Sequence, residues 1–277
     1  MKKIVTIQDI SCIGKCSLTV ALPIISATGI ETAILPTTIL STHTAFQGFT
    51  FRDLSMDINA ISNHWQKEKF KFDAIYTGYM GNIEQIELVK KFIKDFDTKE
   101  NIVLVDPAMA DNGKLYSGFN NEFVSKMKEL CDQADIIVPN VTEASLLAGI
   151  PYDEKMTLDE IKKIAIELSK KIKNVVITDI NLNNKVGILS YNAKTKEFYS
   201  YFRKKINAKY HGTGDVFASA LVGSLANGIS INKSLKIAVD YTWEAIKETY
   251  EKEPKDIYGV NFETKLPFLI NRICKEK

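Results

Sequence analysis

Cysteine is scarce in this chain, with four residues in 277, and the pattern of those four narrows the chemistry. Cys12, Cys16, Cys131 and Cys274 lack the paired two-residue spacing of a zinc site. Nothing else in the sequence points to an oxidising compartment that would pair them. Cys12 and Cys16 lie near Gly14, which leaves a redox or metal role open beside the plainer one of reduced structural thiols. An excess of one charge is also missing: 36 Lys and Arg against 34 Asp and Glu give a net +2. The bases are scattered over helical faces, so nucleic acid is not an expected partner. No apolar run approaches the roughly 18 residues needed to cross a bilayer. The stretch after Met1-Lys2-Lys3 is broken by Gln8 and Asp9, so it reads as a first strand and not as a leader. The expected location is the cytoplasm, with no membrane partner. Internal repeats, linkers and low-complexity segments are lacking too, and a single domain over 1–277 is the simplest organisation.

What is present is an ordinary globular balance, 45% hydrophobic and 25% charged. Short β-branched runs alternate with long amphipathic segments, the pattern of βα units around a mainly parallel sheet. Strands are predicted over 3–10, 32–40, 73–77, 101–105, 136–138 and 174–178. Asn82 caps a helix that places Ile83, Ile86, Val89, Ile93 and Phe96 on one face, with Gln85 in the capping-box position. Thr157 and Glu160 repeat that device ahead of the stripe Leu158, Ile161, Ala165, Leu168 and Ile172. Runs 186–191 and 198–202, joined by a polar turn, predict an antiparallel hairpin at the sheet edge. Helices are expected over 215–227, 231–250 and 263–275.

The most informative feature is Gly212-Thr213-Gly214-Asp215. Two glycines let successive N–H groups converge on an anion, and the apolar, small-residue helix that follows adds the positive end of its dipole. An acid placed there repels the phosphate those amides attract, so Asp215 is the candidate general base for a hydroxyl nucleophile. The plainer alternative is a turn followed by a helix start.

Ligands of open α/β sheets bind beyond the carboxyl ends of the strands, where this chain carries several polar residues. Asp106-Pro107, with Asp111 behind it, could hold a hydrated Mg²⁺; Asp106 could equally end the strand and fix the turn. Asn140 and Glu143 could grip Mg²⁺ and phosphate through water, or could simply form a capping box.

Taken in order, these acidic sites and the 212–215 turn resemble the ribokinase-like superfamily, and within it the pyridoxal and pyridoxamine kinases. The landmarks are Ile7-Gln8-Asp9, Leu40-Ser41-Thr42-His43-Thr44, Thr77-Gly78-Tyr79, Asp106-Pro107 with Asp111, Pro139-Asn140 with Glu143, Val176-Ile177-Thr178 and the glycine turn. The resemblance covers nearly the whole chain. It implies a three-layer α/β/α fold, a central mostly parallel sheet flanked by helices, in a homodimer. It also implies phosphorylation by ATP of the 5′-hydroxymethyl group of pyridoxal, pyridoxine or pyridoxamine, with Mg²⁺ and an open place for a monovalent cation. On this resemblance Asp215 is the base, and Gly212, Thr213 and Gly214 supply the anion-stabilising amides. Asp9, His43, Thr44 and Tyr79 line the vitamin B6 pocket. Asp106, Asp111, Tyr116, Asn140, Glu143 and Thr178 lie on the nucleotide side, with Asp106 and Glu143 reaching Mg²⁺ through water. His43 has a plainer reading as a loop histidine, and Tyr79 as a core residue. Several relatives carry serine where Asp9 stands and a small hydroxyl residue at the place of Asp179. Hydroxymethylpyrimidine kinases share the fold and the glycine turn and are the nearest rival; a noncatalytic nucleotide- or vitamin-binding regulator is the rival of another class. The early Gly-Gly stretch and lid insertion of sugar kinases are missing.

Overall fold

Residues 1–98, 100–252 and 258–277 are described by the computed structural model. In chain order the elements are β1 (Lys3–Ile13), α1 (Leu18–Ala27), β2 (Glu31–Thr42), β3 (Phe51–Asp53), α2 (Ser55–Lys67), β4 (Ala74–Thr77), α3 (Ile83–Phe96) and β5 (Ile102–Val105). They continue with β6 (Ala110–Asp111), β7 (Lys114–Leu115), α4 (Asn121–Cys131), β8 (Ile136–Ile137), α5 (Val141–Ala148), α6 (Leu158–Leu168), β9 (Asn174–Leu182) and β10 (Lys185–Asn192). The last are β11 (Glu197–Lys204), α7 (Thr213–Ala226), α8 (Ile231–Lys252) and α9 (Leu266–Glu276).

Nine strands form one sheet in the order β11-β10-β9-β8-β5-β4-β1-β2-β3. The six from β9 to β2 are parallel; β10 and β11 add antiparallel strands at one edge, as the sequence predicts, and β3 adds another at the opposite edge. Successive side chains of a strand point to opposite faces, and a sheet covered on both sides needs both sets apolar. Thus Val5, Ile7, Val103 and Val105 join the core beneath α2 to α6, while Ile4 and Leu104 join the core beneath α1, α7, α8 and α9. The architecture is three-layered, with a mostly parallel sheet between two layers of helices.

Several local expectations shift. β1 runs on to Ile13, past its predicted end at residue 10, so Asp9 lies well inside it. There the register changes: Gln8 pairs with Pro36 and Ile10 with Ile39, which sets Asp9 opposite both Thr37 and Thr38. A bulge of this kind re-aims a side chain. Asn82 caps α3 by accepting from the Gln85 N–H, yet the Gln85 side chain does not close the box. Its Oε1 instead accepts from the Gly81 N–H at 2.8 Å, and its Nε2 donates to the Thr37 carbonyl and to Asp53, tying α3 to β2 and β3. The box at Thr157 and Glu160 is complete. Ile172 is buried as expected, but α6 has already ended at Leu168. Among the described residues no helix is long and apolar enough to cross a membrane.

The chain leaves β1 toward β2 and later returns to place β4 on the other side of β1. A crevice opens at the carboxyl ends of strands where the winding reverses in this way. That places the ends of β1 and β4, and the residues just beyond them, at the mouth of the site.

Candidate active site

Gly212 initiates α7 in the left-handed conformation, φ 76° and ψ 4°. A side chain is doubly barred here, because a Cβ would stand 1.9 Å from the Lys15 carbonyl oxygen. The Val216 N–H bonds back to the Gly212 carbonyl at 3.0 Å. The N–H groups of 213–215 precede it and have no helical acceptor, so they point out of the helix start with the positive end of its dipole.

Two cavities flank this turn. One, about 320 Å³, is lined by Asp9, His43, Thr44, Tyr79, Tyr116 and Asp111 together with Gly212 and Asp215. The other side holds a space of about 460 Å³ that reaches Asp111, Asn140, Asp179, Lys205, Lys209 and Thr213. It adjoins a smaller apolar space of about 150 Å³ bounded by Thr178, Gly214, Phe217 and Trp243. The turn therefore stands between two compartments, with Asp215 facing one and Thr213 the other.

Asp215 Oδ2 accepts the Ser17 N–H at 2.9 Å. Burial pushes its carboxyl up to about 7; the Ser17 N–H works against that rise and the nearby Asp9 adds to it. Asp9 is 2% exposed, accepts from Ser11 Oγ at 3.1 Å, and is also raised by burial. His43 is buried, its Nδ1 accepting from the Ala45 N–H at 3.3 Å and its ring lying 4.9 Å from that of His211. Tyr79 stacks on Phe119 at 5.8 Å, and burial lifts its phenol to about 12. It lines the cavity and is not a core residue.

Asp106 follows β5 at 9% exposure, and among the described residues its carboxylate receives no hydrogen bond. Burial raises it well above the usual carboxylate range, with Glu143 and Asp215 adding repulsion. Asn140 and Glu143 form a complete capping box on α5. They do more than cap: Glu143 Oε1 accepts from the Met109 N–H at 3.1 Å, and Asn140 Nδ2 donates to the Ala110 carbonyl at 2.8 Å. Both side chains thus fasten the segment that follows Asp106. Asp111 is exposed and accepts from the Asn112 N–H at 2.8 Å. Tyr116 lines the first cavity, not the second. Thr178 donates its N–H to the Pro139 carbonyl at 2.8 Å beside Asn140.

The structure brings several unanticipated residues to the site. His211, Ser11, Cys16 and Ser17 line the first cavity. Burial, then Asp215 and Asp9, push the Cys16 thiol up, so it is not a thiolate at neutral pH. Lys205 and Lys209 line the second cavity, where they draw down the Asp179 carboxyl that burial raises. The only sequence signal for them is the run of bases between Arg203 and Lys209, just ahead of the glycine turn.

A family model described as phosphomethylpyrimidine kinase matches residues 30–259. The chain belongs to this kinase family. It is 31% identical over 221 residues, 79% of this chain and 77% of the other, to a hydroxymethylpyrimidine/phosphomethylpyrimidine kinase of Bacillus subtilis. It is 29% identical over 269 residues, 91% and 87% of the two chains, to a pyridoxal kinase of Dictyostelium discoideum. A crystal structure from Bacteroides thetaiotaomicron, of a protein assigned as a phosphomethylpyrimidine kinase and crystallised with pyridoxal, superposes with a TM-score of 0.93 at 38% identity. That superposition covers 97% of this chain and 95% of the other. The family comprises relatives of both substrate types, so kinase activity and the use of ATP follow from membership, and the substrate does not.

Proposed function

We propose that this kinase transfers the γ-phosphoryl group of ATP to the 5′-hydroxymethyl group of a vitamin B6 vitamer: pyridoxal, pyridoxine or pyridoxamine. The observation that carries the reading is the position of the 212–215 turn, with a carboxylate raised to about 7 facing one cavity and open N–H groups between the two. The cavity of about 320 Å³ has the scale of a small-molecule site and an aromatic wall in Tyr79. Asp215 takes the proton of the substrate hydroxyl. The Ser17 N–H fixes one of its oxygens and leaves the other for that hydroxyl. The N–H groups at 213–215 stabilise charge on the transferring group, so positioning and electrostatics supply the catalysis.

Tyr79 packs on the pyridine ring, while Asp9, His43 and Thr44 bond its polar edge. Lys205, Lys209, Asn140 and Thr178 accommodate the nucleotide, with Asp111, which lines both cavities, at their boundary and Tyr116 on the substrate side. ATP would bring the phosphoryl group, and Mg²⁺ would offset the charge of its phosphates. Asp106 fits that cation, being a buried carboxylate with no hydrogen-bond donor among the described residues. Glu143 would reach it through water. Mg²⁺ keeps several waters and needs few protein ligands. The same reading carries one kinase domain over 1–277, a homodimer and a cytoplasmic location.

A second reading is phosphorylation of hydroxymethylpyrimidine, which the family model and the Bacillus subtilis relative favour. ADP release with each of the four compounds separates the two. Turnover of hydroxymethylpyrimidine alone would replace the B6 assignment.

A further inference from the structure

The loop between β1 and α1 is held from two sides. The Lys15 N–H donates to the Tyr258 carbonyl at 2.6 Å. Lys15 Nζ donates to Asn261 Oδ1 at 2.5 Å and to Glu263 Oε2 at 3.1 Å. The Lys15 carbonyl fills the space a side chain would need on Gly212, and it lies 2.9 Å from where Gly259 would carry a Cβ. The segment 258–263 therefore grips the loop on one side while the glycine turn abuts it on the other.

The end of that loop is strained. Ser17 has φ 51° and ψ −131°, a conformation L residues rarely adopt. It is the N-cap residue of α1, yet its side chain makes no capping bond and its hydroxyl is drawn to Asp9 instead. A serine at an N-cap normally accepts from the first turn of its helix. In this backbone conformation the Ser17 N–H is aimed at Asp215 Oδ2. Backbone strain of this kind persists only where the surroundings impose it. Without the grip, residue 17 would relax toward an ordinary helix cap and its N–H would turn from the carboxylate.

We propose that Lys15 is a positioning residue: its clasp to Asn261 and Glu263, packed between Gly212 and Gly259, holds the strained Ser17 N–H on Asp215. The C-terminal segment thereby sets the orientation of the base without touching substrate. The inference builds on the role given to Asp215 above, but its first test needs no substrate.

In ¹H–¹⁵N spectra of the full-length protein, the Ser17 amide should be shifted downfield and protected from exchange by its bond to the carboxylate. Lys15→Met should remove both signatures. Gly259→Ala, whose new methyl meets Lys15, should do the same while leaving every clasp group in place. Lys15→Arg, which can reach the same two acceptors, should restore them. With whichever hydroxymethyl substrate the wild type turns over, kcat should fall about tenfold or more in Lys15→Met and Gly259→Ala. KM for ATP should change little, and Lys15→Arg should recover most of the rate. An unchanged Ser17 amide in both disruptive variants would overturn the clasp. So would loss of the amide signature with kcat intact, or equal losses in Lys15→Met and Lys15→Arg. Should the wild type turn over none of the four compounds, the functional reading would fail while the amide measurement still decides the clasp.

Discussion

Oδ2 of Asp106 stands 3.7 Å from where Gly214 would carry a Cβ, so an acid at the end of β5 abuts the anion-binding turn at the start of α7. Its carboxyl is raised by burial and by Glu143 and Asp215. A folded-state value above the unfolded 3.8 means the folded protein holds that proton more tightly. Stability is then largest at low pH and falls as pH rises above about 4. Asp106→Asn should therefore raise stability at pH 8, by about 1 kcal/mol or more, while lowering turnover. Thermal unfolding at pH 5 and pH 8 checks this. A variant that melts lower than wild type at pH 8 would contradict it.

The Asp215 carboxyl, at about 7, makes a pH prediction for the rate. A general base works only when ionised, so kcat/KM of the wild type should climb as pH rises through about 7 and level off above it. A profile flat from pH 5 to 9 would remove Asp215 from the proton transfer.

Gly212→Ala meets both a positive φ and the Lys15 carbonyl. We expect a loss of roughly 1–3 kcal/mol in stability and a fall in turnover of about a hundredfold, as one set of amides loses its aim. Urea denaturation and ADP release measure the two effects. Wild-type behaviour in both would mean that the turn is plastic.

Asp9 is a buried acid among Ser11, Ser17 and Tyr79, and among the described residues no Lys or Arg lines its cavity. A substrate ammonium would give it a charge-assisted hydrogen bond. Asp9→Ser should lower the ratio of specificity constants for pyridoxamine over pyridoxal by about tenfold. An unchanged ratio would dismiss the idea.

The parallel strands, the hairpin of β10 and β11 and the glycine turn are legible because each carries a local pattern: apolar runs, alternation, or paired glycines. The capping box at Asn140 and Glu143 was legible too, but not its second use, since the bonds from Met109 and Ala110 to Glu143 join segments more than thirty residues apart. β3 leaves no trace in the sequence because Phe51, Arg52 and Asp53 form too short a run to show a period. His211 and Ser17 are silent in the sequence for a different reason. His211 reaches the cavity because the chain just before the turn folds against His43. Ser17 contributes a backbone N–H, which no residue identity reveals.

The central claim is that Asp215 activates a hydroxymethyl group for phosphoryl transfer. The most direct test is ADP release from Mg²⁺-ATP with pyridoxal, pyridoxine, pyridoxamine and hydroxymethylpyrimidine in turn, for wild type and Asp215→Asn. We expect turnover of at least one B6 vitamer by the wild type and a loss on the order of 10²- to 10⁴-fold in the variant. Wild-type turnover by Asp215→Asn, or no turnover of any of the four by the wild type, would contradict the account.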